Sequence, residues 1–302
     1  MYDIIVVGGG PAGMTAALYG LRNGKTVLVI EKAGFGGQIT YSPRVENIPS
    51  HGVISGNEFA DKFLEQILAQ GADVELEEVC GIADNGEIKV VETKEGSKFE
   101  ARTVIIAAGV KHRMLGIEGE EELVGEGISF CAVCDGDFYK GKTVAIAGGG
   151  NSAFVEAVLL AEKCERVIML QDMPYCTADK KLQDTFFAND NVECKCDTKI
   201  LSFFKESGEL KGVEIENKVS GEREVVKCDG LFVAIGLIPE NKPYENLADL
   251  NEYGYFDSSE DCKTRTPGIF VAGDCRSKRV RQVTTACADG AIAALAACEY
   301  LR

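Results

Sequence analysis

Positive charge is scarce in this sequence. Its 302 residues include 32 Lys and Arg against 48 Asp and Glu, which gives a formal net charge of −16. Such a chain repels nucleic acid and anionic membranes unless a local basic patch overrides the net charge. Long apolar segments are also lacking, because the stretch GAIAALAAC at 290–298 falls far short of the about 20 residues that span a membrane. We therefore expect no nucleic-acid partner and no membrane partner.

Histidine is nearly absent, whereas cysteine is abundant, with two and twelve residues respectively. The chain opens on MYDIIVVGGG, which leaves no room for the charged and apolar regions of a signal peptide. We predict a cytoplasmic location, in which most thiols stay reduced. The cysteines with close neighbours in the sequence are Cys131 and Cys134, in a CxxC, and Cys194 and Cys196, in a CxC.

The CxxC lies in FCAVCDGDFYK, at the expected mouth of a helix. Its two thiols are close enough for a strained, reducible disulfide. A zinc half-site and two unrelated core cysteines are the alternatives. A zinc site needs four ligands, yet there is no second CxxC and the two histidines, His51 and His112, have no matching spacing. We favour a redox-active pair and predict no metal site.

The first 32 residues carry a nucleotide-binding pattern. An apolar run, a glycine turn, an amphipathic stretch and a second apolar run follow one another, as in a βαβ unit. Gly8, Gly10 and Gly13 form G-x-G-x-x-G, which allows a tight turn, close approach of a pyrophosphate and close packing of helix on strand. Glu31 follows Gly13 by 18 residues, where a carboxylate can accept hydrogen bonds from a ribose. The pattern predicts dinucleotide binding.

A second copy of the pattern begins about 140 residues later, with Gly148, Gly150 and Ala153 in the glycine positions. Each copy is followed by another apolar strand that ends in glycine, and the segment 268–297 adds a strand, an Asp and a long helix. If this tail belongs to the first copy, the second domain is inserted into the first. We predict an α/β fold of two Rossmann-like domains, one formed by 1–110 and 241–302 and a smaller one formed by 111–240.

Several motifs in this order resemble the low-molecular-weight thioredoxin reductases. They are the two dinucleotide patterns, GGQIT and VENIP after the first, CAVCDG in the second domain, and GD eight residues before RQ near the end. The resemblance covers nearly the whole chain. It implies a glutathione-reductase-like fold, bound FAD, a thioredoxin substrate and a homodimer.

The resemblance also implies roles for the residues around the CxxC. Cys134 would face the flavin and take its electrons, and Cys131 would attack the disulfide of the protein substrate. Asp135 would be the general acid and base for the thiol protons, since no histidine lies in this segment. An alternative role for Asp135 is to cap a helix, because Asp is common at helix starts.

The resemblance assigns flavin contacts residue by residue. The pyrophosphate loop corresponds to Gly8, Gly10, Ala12 and Gly13, and the ribose acid to Glu31. The two flavin-proximal loops correspond to Gln38 and Asn47, and the adenine contact to Val79. The ribityl contact corresponds to Asp274, and the segment along the isoalloxazine to Arg281, Gln282 and Val283. The helix expected after Val283 would point its N-terminus at the ring, where amide dipoles stabilise negative charge.

One segment departs from the family pattern. NADPH-dependent members carry a basic box, His-Arg-Arg-x-x-x-Arg, after the second strand of the smaller domain, and here the aligned residues are QDMPYCT at 171–177. Without bases, several charge-assisted hydrogen bonds to the 2′-phosphate are lost, each worth about 1.5 to 3 kcal/mol. Asp172 would add repulsion. Productive use of NADPH is therefore not expected.

Two electron donors are left. Asp172 follows Ala153 by 19 residues, near the position of the ribose acid in an NAD site, which would allow NADH. The pattern also resembles the ferredoxin-dependent flavin thioredoxin reductases of clostridia, which use no pyridine nucleotide. Flavins can take electrons singly from an iron-sulfur protein. We favour ferredoxin, for which CRSKRVRQ at 275–282, with Lys111, His112 and Arg113, offers a possible basic docking patch; a solvated loop is the alternative for CRSKRVRQ.

Other classes of function remain open. A flavin-dependent oxidase or peroxidase would not need a CxxC followed by an acid. A non-catalytic flavoprotein redox sensor could retain both. A plain NAD-binding module is disfavoured by the GD and RQ motifs, whose evident use is to bind flavin.

Overall fold

The chain consists of two compact units, one inserted into the other. A computed structural model describes residues 1–206 and 208–302. The first unit comprises Met1–Lys111 and Ile238–Arg302, and the second comprises His112–Leu237. Within the described residues, no helix has both the length and the apolar character to cross a membrane.

Strands are numbered in chain order over the described residues. They are β1 (Tyr2–Val7), β2 (Val27–Glu31), β3 (Asp73–Leu76), β4 (Val79–Asn85), β5 (Ile88–Thr93), β6 (Lys98–Ile106), β7 (Val110–His112), β8 (Ile128–Ser129), β9 (Thr143–Ala147), β10 (Arg166–Leu170), β11 (Val192–Lys195), β12 (Thr198–Glu206), β13 (Glu209–Asn217), β14 (Arg223–Lys227), β15 (Gly230–Val233), β16 (Leu237–Pro239) and β17 (Ile269–Val271).

Helices follow the same convention. They are α1 (Pro11–Arg22), α2 (Gly56–Ala69), α3 (Glu120–Leu123), α4 (Ala132–Asp135), α5 (Asn151–Ala161), α6 (Lys180–Phe187) and α7 (Val283–Tyr300), with short 3-10 helices at Gly37–Tyr41, Gly136–Tyr139, Lys242–Tyr244 and Gly273–Cys275.

The main sheet of the first unit is largely parallel. Its parallel strands run in the order β3, β2, β1, β6 and β17, and β4 and β5 extend it as an antiparallel pair. β6 is long enough to serve both parts, since Lys98–Ala101 pairs with β5 while Val104–Ile106 pairs with β17. The central strands are nearly continuous apolar runs because both faces of a parallel sheet are covered.

Alternate residues of β1 enter two different cores. Ile4 and Val6 pack on one face with α1 and α7, whereas Ile5 and Val7 pack on the other face with Phe256. Helices α1 and α7 approach closely at Gly290, where a Cβ would lie 2.1 Å from the carbonyl oxygen of Ala12. The start of α1 is thereby fixed between the sheet and α7.

The second unit repeats the order of the first. Its parallel strands run β11, β10, β9, β15 and β8, beside a three-stranded antiparallel sheet of β12, β13 and β14. The fifth strand comes from a different place in the sequence of each unit: β17 is the last strand of the chain, whereas β8 precedes the second copy of the βαβ pattern. This repetition confirms the α/β fold class of two dinucleotide-binding folds predicted from the sequence.

Candidate active site

The first glycine loop is a turn that side chains would block. Gly8 has a φ of +109°, and a Cβ there would lie 2.3 Å from the carbonyl oxygen of Ala107. A Cβ on Gly13 would lie 1.8 Å from the carbonyl oxygen of Gly8. Gly10 is the N-cap residue of α1 and no side chain caps this helix, so its first N–H groups are available to an anion. Ala12 is buried in the first turn.

Glu31 and the segment around Gly36 lie against this loop. Glu31 ends β2, and its Oε2 accepts a hydrogen bond of 2.6 Å from the N–H of Gly9. The N–H of Gly36 donates to the carbonyl oxygen of Gly9 over 2.9 Å. This contact places the 3-10 helix that contains Gln38 beside the glycine loop, and Gln38 is exposed there.

Asp274 lies in the short 3-10 helix Gly273–Cys275, which packs against the first turn of α1. The preceding Gly273 has a φ of +80°, and a Cβ there would lie 2.7 Å from the Cβ of Ala12. Burial raises the pKa of Asp274 to about 6, while the charges of Lys278 and Arg281 oppose the shift. Its Oδ1 is buried without a hydrogen-bond partner in the described chain, since the ammonium of Lys278 is 4.0 Å away. An unsatisfied buried acceptor fits a ligand hydroxyl that donates a hydrogen bond.

Asp289 of α7 holds this turn in place. Its carboxylate forms ion pairs of 2.9 Å with both Arg276 and Lys278, and it accepts from the N–H of Gly273. Arg276 is 5% exposed and also donates to Ser258, so it is part of the interior. Arg276 and Lys278 therefore do not contribute to the basic surface patch expected from the sequence.

The residues just before α7 lie next to the turn that contains Asp274. Arg281 lies over the ring of Tyr255, 4.4 Å from its centroid, and its Nε donates to the carbonyl oxygen of Asp274. Gln282 caps α7 and accepts a hydrogen bond of 3.1 Å from the side chain of Asn47, 235 residues earlier. Val283 is the first residue of α7.

Val79 stands apart from these contacts. It begins β4, and its side chain is buried in the same apolar core as Val7 and Ile30. The backbone contact assigned to it stays a prediction.

The CxxC of the second unit follows β8 directly. Cys131 and Cys134 form a disulfide with their Cα atoms 5.3 Å apart. Cys131 caps the short helix α4, and its Sγ accepts a hydrogen bond from the N–H of Cys134. The hydroxyl of Ser129 accepts from the N–H of Cys131 over 3.1 Å, so the last residue of β8 orients the start of the motif.

Asp135 ends α4 and turns back toward β8. Its Oδ2 accepts a hydrogen bond of 2.6 Å from Ser129, while its Oδ1 is buried and has no partner in the parts of the chain that are described. Burial raises its pKa, and the Ser129 hydrogen bond opposes that shift. Asp135 is the N-cap residue of the following 3-10 helix, as the helix-cap alternative expects, but its side chain makes no capping hydrogen bond there, and Cys131 caps α4.

A second carboxylate near the CxxC was missed by the sequence analysis. Glu156 of α5 accepts a hydrogen bond from the N–H of Ala132, and its Oε2 is buried without a partner among residues 1–206 and 208–302. Burial raises its pKa to about 7, and the charge of Asp135 adds to the shift. One signal was available, since Glu156 is the lone charged residue of the apolar helix NSAFVEAVLLA.

The second glycine loop is covered by the residues that replace the basic box. We call residues 171–179 the strap. Its N–H groups at Thr177 and Ala178 donate to the carbonyl oxygen of Gly149 over 2.8 and 3.1 Å. Asp179 exchanges hydrogen bonds with Asn151, the first residue of α5, and so puts a carboxylate at a helix start that could otherwise receive a phosphate.

The structural equivalent of Glu31 in the second unit is Gln171. The N–H of Gly8 donates to the carbonyl oxygen of Ile30, and the N–H of Gly148 donates in the same way to Leu170. Gln171 therefore occupies the ribose-acid position, and Asp172 lies one residue beyond it, which corrects the placement inferred from spacing. The side chain of Gln171 packs on Gly149 and donates to the carbonyl oxygen of Tyr175.

Comparisons with known proteins identify the family. A family model described as pyridine nucleotide-disulphide oxidoreductase matches residues 2–290. The thioredoxin reductase of Bacillus subtilis is 40% identical over 302 residues, which cover 100% of this chain and 95% of that protein. The chain belongs to the low-molecular-weight thioredoxin reductase family. Membership of this family implies a flavin cofactor.

A solved structure and a further relative each match nearly the whole chain. A thioredoxin reductase structure from Streptococcus pyogenes matches with a TM-score of 0.95 and 38% identity, covering 100% of this chain and 98% of that one. A Clostridium pasteurianum protein, described as a 34.2 kDa protein in a rubredoxin operon, is 37% identical over 300 residues, covering 99% of this chain and 97% of that protein. The family predicted from the sequence motifs is confirmed.

Replacing Glu156 by Gln should change how stability depends on pH. The pKa of Glu156 is raised from 4.5 to about 7, so the folded protein keeps a proton that the unfolded chain releases between these values. The free energy of unfolding of the wild type should therefore fall, relative to the variant, by up to about 3 kcal/mol as the pH rises through this window. Urea unfolding at pH 4.5, 6 and 8 measures the difference. The control is Glu165→Gln, in an exposed turn, and parallel profiles of wild type and Glu156→Gln would contradict the prediction.

Proposed function

We propose that this protein is an FAD-dependent disulfide reductase that reduces thioredoxin through Cys131 and Cys134 and takes its electrons from reduced ferredoxin. The observation that carries the proposal is the disulfide at the end of β8, next to the buried, partnerless carboxylate oxygens of Asp135 and Glu156. A structural disulfide needs no such neighbours, whereas a dithiol that takes up and releases protons does.

The first unit would hold FAD. The proposed contacts run from the pyrophosphate loop to the isoalloxazine segment and comprise Gly8, Gly10, Ala12, Gly13, Glu31, Gln38, Asn47, Val79, Asp274, Arg281, Gln282 and Val283. The open start of α1 and the partnerless Oδ1 of Asp274 support this assignment, because they offer donors to a phosphate and an acceptor to a hydroxyl. When bound, FAD supplies the electron pair that reduces the disulfide.

The residues of the second unit would perform the exchange with thioredoxin. Reduction of the Cys131–Cys134 bond takes up two electrons and two protons. The Cys131 thiolate then attacks the thioredoxin disulfide, and Cys134 displaces the reduced thioredoxin and restores the bond. Asp135, whose pKa is raised by burial, would hold and return a proton during these steps. A homodimer and a cytoplasmic location belong to the proposal on the strength of the family resemblance.

Ferredoxin is proposed as donor because the strap is unsuited to NADPH. Residues 171–179 contain neither Lys nor Arg, and Asp179 puts a carboxylate at the start of α5. The cations next to the strap are lysines: the ammonium of Lys218 donates to the carbonyl oxygen of Asp172 over 2.7 Å, and Lys180 and Lys181 follow the strap at the start of α6. Lysine lacks the paired, planar donors with which arginine grips a phosphate. The relative named after a rubredoxin operon also favours a small iron protein as donor.

NADH is the second candidate, and the exposed Asp172 is the observation that favours it. An exposed carboxylate could accept hydrogen bonds from a ribose. Because Gln171 occupies the position equivalent to Glu31, however, the second unit lacks an acid where the first unit has one. A redox sensor without turnover is the candidate from a different class.

Asp274→Ala should weaken FAD binding by about tenfold or more, because a buried acceptor for a ligand hydroxyl is removed. Fluorescence titration of the flavin-free protein with FAD measures the dissociation constant. The control is Asp61→Ala, an exposed carboxylate on α2 of the same unit. An unchanged dissociation constant for Asp274→Ala would remove the ribityl contact from the proposal.

Cys134→Ser and Cys131→Ser should each reduce thioredoxin turnover to the uncatalysed level, because a single thiol cannot complete the exchange. The flavin of both variants should still be reduced by dithionite. The control is Cys80→Ser, an exposed thiol of the first unit. Turnover retained in Cys134→Ser would refute the redox assignment, and a wild type without turnover would favour a sensor.

The donor is identified by mixing the oxidised holoenzyme anaerobically with NADPH, NADH or reduced ferredoxin and following the flavin absorbance. Rapid bleaching is expected with ferredoxin alone, because the strap offers no site for the 2′-phosphate of NADPH and Gln171 stands where an NADH site would need an acid. Dithionite serves as the control for a reducible flavin. Rapid bleaching by NADH would replace ferredoxin with NADH, and rapid bleaching by NADPH would contradict the argument from the strap.

A further inference from the structure

Three cysteines that are distant in sequence meet at one edge of the second unit. Cys176 lies in the strap, Cys194 on β11, and Cys196 just after that strand. The Sγ atoms of Cys176 and Cys194 are 3.7 Å apart, and those of Cys194 and Cys196 are 4.0 Å apart. All three sulfur atoms lie within 4.8 Å of one another, and each residue is half-buried. We call this group the three-cysteine cluster.

The backbone holds the cluster in register. The N–H of Gln171 donates to the carbonyl oxygen of Lys195, and the N–H of Thr198 donates back to that of Gln171, both over 2.9 Å. A third bond of 2.9 Å joins the N–H of Asp197 to the carbonyl oxygen of Met173. Asp197 has a φ of +51°, which turns the chain directly after Cys196. The strap and the end of β11 are therefore fixed to each other on both sides of the cluster.

Two of the three distances between the sulfur atoms match those of ligands around one ion, and the third is within 4.8 Å. A tetrahedral site with Zn–S bonds of about 2.3 Å separates its sulfur atoms by about 3.8 Å. The observed 3.7 and 4.0 Å agree with this value and exceed the about 2.05 Å of a disulfide bond. Among the described residues, the three-cysteine cluster is the group in which ligand atoms of at least three His, Cys, Asp or Glu residues lie within 4.8 Å of one another.

We propose that Cys176, Cys194 and Cys196 bind one closed-shell thiophilic cation, with Zn²⁺ as the representative ion and water as the fourth ligand. Thiolates select such ions over hard cations, which prefer oxygen. Three protein ligands and one water form a known coordination pattern for Zn²⁺. The ion would link the strap to β11 and fix the segment that replaces the basic box.

The sequence did not reveal this site because its ligands do not form a recognisable spacing. Cys194 and Cys196 are separated by one residue, but Cys176 precedes Cys194 by 18. The parallel pairing of β10 with β11 brings the segment after β10 to the end of β11. The proposal is independent of the electron donor and of the flavin.

The test uses the full-length protein with Cys131→Ser and Cys134→Ser, so that the CxxC cannot bind the probe. After anaerobic reduction and removal of metals, titration with Cd²⁺ is followed by the ultraviolet thiolate-to-metal absorbance. We expect saturation at one Cd²⁺ per chain and weaker apparent binding of Cd²⁺ when excess Zn²⁺ competes for the site. Cys176→Ser, Cys194→Ser or Cys196→Ser, added singly, should each weaken binding by at least about tenfold, since each removes a ligand. The matched control, Cys80→Ser, should leave binding unchanged.

Three results would overturn the proposal: no saturable binding, binding unaffected by the three substitutions, or an equal loss of affinity in Cys80→Ser. A Cys176–Cys194 disulfide found by mass spectrometry in anaerobically purified protein, without bound metal, would also overturn it. Far-ultraviolet circular dichroism identifies any variant that fails to fold. If Cys194→Ser does not fold, Cys176→Ser and Cys196→Ser decide the outcome, because both residues lie outside the strands. A rise in the unfolding temperature on adding Zn²⁺, absent in Cys176→Ser, is the independent readout.

Discussion

The close approach of two backbone segments at each glycine turn determines where the functional residues of both units can lie. At Gly8 and Gly148 the chain turns with a φ of +109° and +125°, and a Cβ at either would lie 2.3 or 2.5 Å from a neighbouring carbonyl oxygen. Only glycine permits this turn, which starts a helix directly at the end of a buried strand. The carboxyl ends of the parallel strands therefore meet beside a helix N-terminus in each unit, and loops there are free to carry function.

The two units use equivalent strands for different purposes. β17 leads to the turn that contains Asp274, and β8 leads to Cys131. β17 is the edge strand that pairs with β6, and β8 is the edge strand that pairs with β15. β6 and β15 follow the first and second copies of the βαβ pattern, but β17 comes near the end of the chain whereas β8 precedes the second copy. Equivalent strands thus lead to a carboxylate oxygen that is buried without a partner in the described chain in the first unit, and to a disulfide in the second. In the function that we propose, the first unit binds the cofactor and the second carries out the exchange with thioredoxin.

Both units contain buried carboxylate oxygens that have no hydrogen-bond partner among the described residues. Asp135, Glu156 and Asp274 each have one in the described chain, and burial raises the pKa of each group. An unsatisfied buried polar atom costs about 1 to 3 kcal/mol, so such atoms are rare where they have no use. Asp289, by contrast, is buried with two cations and serves the turn that holds Asp274. Partnered carboxylates support the site, and partnerless ones are open to a proton or a ligand hydroxyl.

The sequence by itself determined the features that depend on neighbours along the chain: the two βαβ patterns, the CxxC with Asp135, and the lack of bases at 171–177. Only the tertiary structure decided which residues meet across long separations. It put Gln171 rather than Asp172 at the position in the second unit that is equivalent to Glu31 in the first, and it buried Arg276 against Asp289. It also placed Glu156 beside the CxxC and brought the three cysteines of the cluster together. Local patterns reflect the periods of strands and helices, whereas these contacts arise from strand register and from packing between elements, which no spacing in the sequence encodes.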